Sequence, residues 1–231
     1  MVTNVTAKQL NYDHYETDAY DRDIVRVIPG HRQMHQHIVG FLRKEVYPEP
    51  RQVLELGIGT GLTAQKVLKC FPNTRYIGID FSNQMLAGAK MRLAPYHPQL
   101  ILADYAQIEL PQPNDLIVSV IGLHHQKTDE DKKQMFQKIH SALSKKGWFI
   151  FGDLATYTDE HTAAQNDALH YHYMVTHAAN RKTLTEWAHH HKYLNCLSPV
   201  EQQTKWLLQA GFTKVRLLYR KFNTVLIVAQ K

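Results

Sequence analysis

The sequence predicts an α/β fold in which a seven-stranded, doubly wound sheet ends in an antiparallel hairpin. Short apolar runs alternate with helical patterns, three glycines follow the first apolar run, and two more apolar runs near the C-terminus are joined by a very short turn. Strands and helices that alternate at this length form parallel βαβ units with helices on both faces of the sheet. The 231 residues suffice for one buried core, so we expect one domain with appendages.

The first half of the chain opens with a helix and continues as strand–helix repeats. From Pro29 to Tyr47, apolar residues recur three and four positions apart, which is helical spacing. The short apolar run Gln52–Leu56 predicts a buried strand. The pattern then repeats with a helix at about 61–70, the strand Arg75–Asp80, the helix Ser82–Leu93 and the strand Leu100–Ala103.

The second half continues the alternation, with one interruption. Thr128-Asp-Glu-Asp131 resembles a capping box with Asp in place of Glu, and it predicts the start of a helix that Lys145-Lys-Gly147 ends. Residues 154–195 are polar and rich in His and Tyr, and they predict two helices joined near Asn180. The remaining elements are the strands Asp115–Ile121 and Trp148–Gly152, a helix from Ser198 to Gly211, and the strands Thr213–Tyr219 and Phe222–Ala229.

We expect two regions of different role. Residues 1–50 form an N-terminal helical arm. Residues 51–231 form the main domain, with a helical lid inserted at about 154–195.

Composition excludes several classes of function. The formal charge is +6, but the basic residues are scattered, so nucleic acid is an unlikely partner. No run approaches the roughly 18 apolar residues of a membrane span, and we expect a soluble cytoplasmic protein. The two cysteines form neither a disulfide framework nor a metal pair, and the fifteen histidines show no convincing ligand spacing. We therefore expect no metal site.

The glycine turn after the first strand indicates the kind of ligand. Gly57, Gly59 and Gly61 are spaced GxGxG, and Leu62 stands where a dinucleotide motif has its third glycine. Glu55 precedes them, and a carboxylate there would repel a pyrophosphate and favour an ammonium or sulfonium group. Ligands of doubly wound sheets bind at the carboxyl ends of the strands, where strand order reverses.

Acidic and flat side chains follow the next two strands. Asp80 is placed to accept both hydroxyls of a ribose, although a solvated strand-end carboxylate is the alternative. Asp104 and Tyr105 offer a carboxylate for an exocyclic amine and a ring for adenine. Met85 could cover the other face of that ring, and a plain core position is an equal alternative.

Together these residues resemble the class I S-adenosylmethionine-dependent methyltransferases, which have a Rossmann-like fold. The matching segments include Glu55-x-Gly57-x-Gly59-x-Gly61, Gly78-Ile-Asp80-Phe-Ser82-x-x-Met85-Leu86, Ala103-Asp104-Tyr105 and Leu143-Ser-Lys-Lys-Gly147-Trp, and the resemblance spans roughly residues 10–231. It implies S-adenosylmethionine as cofactor, with its methionine at the glycines, its ribose at Asp80 and its adenine at Asp104 and Tyr105. Further cofactor contacts implied are Tyr20, His31, Phe81, Met85, and Ser119 and Val120 beside the sulfonium.

The resemblance implies methyl transfer to an oxygen or nitrogen atom of a small molecule. The segment Ile121-Gly-Leu-His124-His125 resembles a subgroup in which one of two histidines faces the transfer site. His125 is the first candidate for a polar contact or base and His124 the second. The alternative is that both are structural and pack against the following helix.

The arm also resembles that of carboxy-S-adenosylmethionine synthases, enzymes of tRNA wobble modification. His31 stands where their Pro-Gly-Tyr contact residue falls, and Tyr12, Tyr15 and Tyr20 would close over cofactor and substrate. Their lid arginine would fall near Ala188–His190, where this sequence has none. The synthase is thus the alternative function, and plain methyl transfer is favoured.

The lid is the expected place for substrate specificity. Its aromatic and imidazole side chains could enclose a planar or cationic acceptor. The expected partners are a small-molecule acceptor and, left open, a second copy in a homodimer. The candidate lid residues for substrate contact are Tyr157, His170, Tyr173 and Trp187.

Overall fold

The computed structural model describes residues 12–14 and 16–231. Its seven strands form one sheet in the order β3-β2-β1-β4-β5-β7-β6, with β1 to β5 parallel and β7 antiparallel to both neighbours. This confirms the predicted doubly wound sheet with its C-terminal hairpin. The strands are β1 Gln52–Leu56, β2 Arg75–Asp80, β3 Gln99–Leu102, β4 Asn114–Val120, β5 Leu143–Leu154, β6 Lys214–Lys221 and β7 Thr224–Gln230.

Eight α-helices lie within the described part of the chain. Two belong to the arm, two form the lid between β5 and the last helix, and four flank the sheet. They are α1 Thr17–Val27, α2 His31–Glu45, α3 Leu62–Cys70, α4 Asn83–Arg92, α5 Asp129–Ala142, α6 Glu160–His177, α7 Arg181–Tyr193 and α8 Val200–Gln209.

The core lies on both faces of the sheet. One apolar cluster joins the sheet to α5 and α8, through side chains such as Phe136 and Leu207. The cluster on the other face joins it to α2 and α3, through side chains such as Ile38 and Leu68. Because both faces are covered, the central strands are almost entirely buried, which explains why they appear as continuous apolar runs rather than alternating ones.

The arm and the lid share a third, smaller cluster. Ile24, Val27 and Ile28 of the arm pack with Met174 of α6 and Trp187 of α7. Main-chain carbonyls of α1 also accept hydrogen bonds from the lid, at Val27 from His170 Nε2 (3.0 Å) and at Val25 from Tyr173 Oη (3.0 Å). The two segments that interrupt the sequence pattern therefore pack on each other.

Several element boundaries differ from prediction, those of β5, β6 and β7 for local reasons. The fifth strand extends from Leu143 to Leu154, well beyond the predicted Trp148–Gly152, because it pairs with β4 on one side and β7 on the other. The hairpin turn lies at Phe222, which adopts φ of 53°, and Asn223, so β6 continues to Lys221 and β7 begins two residues later than predicted. The capping box at Thr128 is present with both of its hydrogen bonds.

Gly61 ends the glycine turn and is the N-cap of α3. Its φ is +81°, in the left-handed region, and its N–H donates to the carbonyl of Ile58 at 2.9 Å. A Cβ added there would lie 3.1 Å from Cδ1 of Leu93 and 3.4 Å from Cα of Ala89. The glycine thus permits the turn and its close approach to the end of α4.

We expect Gly61→Ala to lower the free energy of unfolding by about 1–3 kcal/mol, because alanine is strained at this φ and crowds Leu93. Gly40→Ala is the matched control. Gly40 lies within α2 with nothing near its Cβ position, so alanine there should stabilise by roughly 0.5–1 kcal/mol. Denaturant unfolding of both variants measures the difference, and equal stability would contradict the role assigned to Gly61.

Candidate active site

A cleft of about 1030 Å³ opens at the carboxyl ends of the central strands, beneath the arm. It lies at the point where strand order reverses between β1 and β4, which is where doubly wound sheets bind ligands. Most of the residues predicted to bind cofactor or substrate meet here. Those that line the cleft are Tyr12, Tyr20, His31, Glu55, Gly57, Gly59, Asp80, Phe81, Met85, Asp104, Tyr105, Val120 and His125.

Other predicted site residues lie elsewhere in the structure. Gly61 and Ser119 stand just behind the cleft wall, where Ser119 Oγ donates to the carbonyl of Leu56 at 3.1 Å. Tyr157 is packed in the core and donates to the carbonyl of Phe222, and Tyr173 stacks on His177. Tyr15 lies outside the described residues. His124, His170 and Trp187 border a second, smaller cavity.

The Asp80 carboxylate closes the glycine turn onto the end of β2. Its Oδ2 accepts the N–H of Gly59 at 2.8 Å, and its Oδ1 accepts the N–H of Ser82 at 2.9 Å. A carboxylate oxygen has two lone pairs, so each oxygen keeps one for a ligand hydroxyl. Burial raises the pKa of Asp80, and the backbone N–H bonds partly offset this effect.

Glu55 is a buried acidic residue of the cleft. Only 1% of it is exposed, and the hydroxyl of Tyr76 donates to its Oε2 at 2.6 Å. Burial raises the pKa of Glu55 to about 8, although the hydrogen bonds from Tyr76 and Thr63 oppose the shift. The carboxyl group is therefore largely protonated at neutral pH. A cationic ligand beside it would favour the ionised form by Coulomb attraction.

A loop after β3 forms the far wall of the cleft. The Oδ1 of Asp104 accepts the N–H of Ala106 at 2.9 Å, and the buried Tyr105 donates its hydroxyl to the carbonyl of Gly122 at 3.1 Å. The Lys138 ammonium on α5 donates to the carbonyls of Tyr105 (2.9 Å) and Ala106 (3.1 Å). Sequence analysis missed Lys138, whose only local signal is its place on a helix.

The arm is joined to the glycine turn by a charged network. Asp21 on α1 accepts the hydroxyl of Thr60 at 2.6 Å and pairs with the guanidinium of Arg92 on α4. Arg92 also donates to the Thr60 carbonyl at 2.5 Å and to its hydroxyl at 2.8 Å. Asp13 extends the connection, since its Oδ1 accepts the hydroxyl of Ser82 at 2.6 Å. The cleft is therefore covered through specific polar contacts, which sequence analysis did not predict.

His31 borders the cleft from the start of α2, one turn before a second buried histidine. Nδ1 of His35 lies 2.9 Å from the carbonyl oxygen of His31, and its Nε2 lies 3.0 Å from Thr63 Oγ1. The carbonyl only accepts, so His35 Nδ1 carries the proton and Nε2 accepts from Thr63. Burial lowers the pKa of His35 to about 4 and that of His31 well below its usual value. Both imidazoles are neutral at neutral pH.

His125 is in a short 3₁₀ turn after β4, at the edge of the cleft. Its Nδ1 lies 3.3 Å from the carbonyl of Leu194, and its Nε2 lies 3.3 Å from the hydroxyl of Tyr12. Burial lowers the pKa of His125 well below its usual value, and the neighbouring His124 and His190 lower it further. The imidazole is thus neutral, with Nε2 carrying the lone pair.

His124 points away from the cleft and into the protein. Its main-chain N–H donates to Asp153 Oδ2 at 2.8 Å, and its Nδ1 bonds to Asp153 Oδ1. Asp153 is only 1% exposed and follows the predicted part of β5. Sequence analysis named the histidine but missed its buried carboxylate partner, because the two residues are 29 positions apart.

Known proteins give independent information on this chain. Residues 53–147 match a family model described as a methyltransferase domain. The chain is 32% identical over 150 residues to an uncharacterized methyltransferase of Oceanobacillus iheyensis. That alignment covers 64% of this chain and 66% of the relative, so the chain spans just under two thirds of that protein's length.

Solved structures support the same fold. A putative O-methyltransferase from Nostoc punctiforme superposes with a TM-score of 0.67 at 18% identity, covering 93% of this chain and 60% of that one. Human N-acetylserotonin methyltransferase, solved in complex with S-adenosylmethionine, gives 0.60 at 14% identity, covering 93% and 54%. At these identities the likeness shows the fold alone. Among the helices of the described chain, none has the length and apolar character needed to traverse a bilayer.

The buried carboxyl group of Glu55 predicts a distinctive dependence of stability on pH. Between the ordinary value of 4.5 and about 8, the folded protein binds this proton and the unfolded chain does not. The free energy of unfolding therefore falls as pH rises through this window. Glu55→Gln keeps an acceptor for Tyr76 and removes the titration, so wild type should lose up to about 1.4 kcal/mol per pH unit relative to the variant.

Chemical denaturation at pH 5, 6.5 and 8 measures this difference. Glu109→Gln serves as the control, because Glu109 is exposed and its variant should follow the pH profile of wild type. Parallel profiles of Glu55→Gln and wild type would show that Glu55 is ionised in the folded protein.

Proposed function

We propose that this chain is a class I S-adenosylmethionine-dependent methyltransferase and that it methylates an oxygen or nitrogen atom of a small molecule. The observation that carries the proposal is the cleft itself. The glycine turn, Asp80 and Asp104 all line it, as binding of methionine, ribose and adenine at one site would need.

The residues around the cleft fit the parts of this cofactor. Asp80 keeps one lone pair on each oxygen for the two ribose hydroxyls, and Asp104 offers a carboxylate to the exocyclic amine of adenine. Glu55 lies at the methionine end, where the ammonium and sulfonium groups carry positive charge. A cofactor cation would draw Glu55 toward its ionised form, which ties cofactor binding to release of a proton.

Methyl transfer from a sulfonium requires mainly alignment. S-adenosylmethionine supplies an activated methyl group, and an acceptor atom attacks the methyl carbon as the bond to sulfur breaks, leaving a neutral thioether. Holding the two reactants in line can supply roughly 7–11 kcal/mol of the barrier reduction. The protein's own part is to position them and to exclude water, and the aromatic cover of Tyr12, Tyr20 and Phe81 serves that end.

A protonated acceptor must also lose a proton. We assign that role to His125, whose Nε2 lone pair faces the Tyr12 hydroxyl at the edge of the cleft. Its neutral state makes the lone pair available at neutral pH. Tyr12 and Tyr20 are the proposed acceptor contacts from the arm, whereas Trp187 and His170 act from behind them through the lid.

The alternative function, synthesis of a carboxylated cofactor, has weaker support in this structure. The lid position expected to hold an arginine is occupied by His190, whose ring lies 6.1 Å from that of Tyr12. Burial lowers the pKa of His190 to about 3, so it carries no charge with which to grip a carboxylate. Mass spectrometry of the ligand that copurifies with the protein would decide, since a carboxylated cofactor would contradict the proposal.

Asp80→Asn tests the cofactor site. The amide keeps the size of the side chain but loses the charge of an acceptor for two hydroxyls, so affinity for S-adenosylhomocysteine should fall roughly 10- to 100-fold or more. Calorimetric titration measures it. Asp115→Asn is the matched control. Asp115 pairs with Arg51 at the amino end of β4, away from the cleft at the carboxyl ends, and its variant should bind as wild type does.

A screen of small-molecule acceptors for release of S-adenosylhomocysteine tests the reaction. With an accepted substrate, His125→Ala should lower kcat roughly 100- to 10,000-fold while leaving cofactor affinity unchanged, since the lost proton acceptor acts only in transfer. His97→Ala, at an exposed turn remote from the cleft, should match wild type. Turnover only with tRNA, or equal kcat for the His125 variant, would contradict the assignment.

A further inference from the structure

Three histidines from two distant segments meet between the cleft and the lid. His124 and His125 follow β4, and His190 lies on α7 of the lid. One ring nitrogen of each lies within 4.8 Å of one ring nitrogen of the other two. The rings of His124 and His125 are 3.9 Å apart, and those of His125 and His190 are 5.2 Å apart. Three imidazoles this close could hold one metal ion between them.

The Nδ1 hydrogen bonds of the first two rings leave Nε2 unprotonated on each. Nε2 of His125 lies 3.3 Å from the Tyr12 hydroxyl, which a bound ion would displace. Nδ1 of His124 faces the Asp153 carboxylate, and Nδ1 of His125 faces the carbonyl of Leu194. Both partners only accept, so both Nδ1 atoms carry the proton. The Nε2 atom of each ring is therefore the one with a lone pair, which is the form that binds a metal ion.

The surroundings match what a metal-bound imidazole requires. Metal-binding histidines usually donate their second nitrogen to a carboxylate or a backbone carbonyl, as these two do. Asp153 is 1% exposed and supplies the negative charge that a buried cation needs.

A small cavity with a largely apolar wall adjoins the cluster. It has a volume of about 20 Å³, enough for one water molecule or ion, and His124 and His190 border it. Two further groups at its wall are buried without a hydrogen-bond partner, Nδ1 of His170 and Oδ1 of Asn195. These two unpaired buried polar atoms leave hydrogen-bonding capacity at the cavity wall for a polar occupant.

We propose that His124, His125 and His190 bind one divalent transition-metal ion of the zinc class. Neutral imidazole suits zinc, copper, nickel and iron, and three histidines with one open position form a familiar zinc arrangement. Zinc–nitrogen bonds are about 2.0–2.1 Å long, so side-chain rotations that move each ring nitrogen by roughly 1 Å would bring all three within bonding distance of one ion. Sequence analysis predicted no metal site, because the third ligand, His190, lies 65 positions after His125 in the chain.

Such an ion would act on two parts of the molecule. It would fasten the lid to the end of β4, because His190 and the two adjacent histidines lie in different segments. It would also take the Nε2 lone pair that the proposed function uses as a proton acceptor. The position would then serve as a Lewis acid, lowering the pKa of an acceptor hydroxyl bound at the open position. That second consequence rests on the proposed function, whereas metal binding itself does not.

Titration of the metal-stripped full chain with Zn²⁺ against a chromophoric chelator tests the site. We expect one equivalent to bind tightly, and we expect His190→Ala to weaken it by roughly 100-fold or more. His189→Ala is the matched control, since His189 is the exposed neighbour on the same helix and its variant should bind as wild type does. Absence of a one-to-one site, or equal affinity of the two variants, would overturn the proposal.

Two further measurements guard against a merely structural effect. Co²⁺ in place of Zn²⁺ should give the visible absorption of a four-coordinate nitrogen site in wild type and lose it in both His190→Ala and His190→Gln. Hydrogen exchange of residues 181–195 should slow when Zn²⁺ is added to wild type and to the His189 variant, but not to the His190 variants. Unchanged exchange in wild type would contradict the link between lid and strand.

Two single-residue variants distinguish this proposal from the proposed function. Asp80→Asn should lose affinity for S-adenosylhomocysteine and keep Zn²⁺ binding, whereas His190→Ala should do the reverse. Zinc binding without any transfer activity would refute the proposed function and leave the metal site standing. Transfer activity that is equal in the stripped and Zn²⁺-loaded protein, with no tight site, would refute the metal site alone.

Discussion

The structure depends on one buried carboxylate at the end of the second strand. Asp80 accepts one main-chain N–H from the glycine turn and one from the start of α4, and it thereby fixes two separate βα connections relative to each other. The same turn presents Thr60 to the arm, and the same helix start presents Ser82. The cover of the cleft is thus built on positions that Asp80 holds. Without this carboxylate, the glycine turn and the arm over the cleft would no longer be held in fixed positions relative to each other.

The polar interior of this protein is largely kept uncharged. The cleft and the space behind it hold a carboxyl group and several imidazoles, and burial moves their pKa values toward the neutral forms. Neutral polar groups cost less to bury than ions, and each one can still bond to a charged guest. A cationic ligand therefore meets neutral groups with lone pairs in addition to the buried carboxylates of Asp80 and Asp153.

The sequence predicted the fold well, and most of the cofactor residues it proposed line one cleft, because both depend on local patterns. Apolar runs, turn glycines and strand-end acids such as Asp80 and Asp104 are all visible within a few positions of one another. The lid was harder: Tyr157 and Tyr173 look like surface aromatics in sequence, yet one is core and the other stacks on the lid itself. Partners such as Asp153, Arg92 and His190 become visible only when distant segments meet. Local pattern carries no information on such encounters.

The charged network between arm and turn also bears on how the chain folds as it is synthesised. Asp21 precedes its partner Arg92 by 71 positions, and the carbonyl of Val27 precedes His170 by 143. The arm is synthesised before the surfaces that receive it, which are completed only after α4 and then the lid have emerged. It can therefore dock fully only after those later segments are made. Until then, the apolar face of its amphipathic helix lacks the lid residues that cover it in the folded protein.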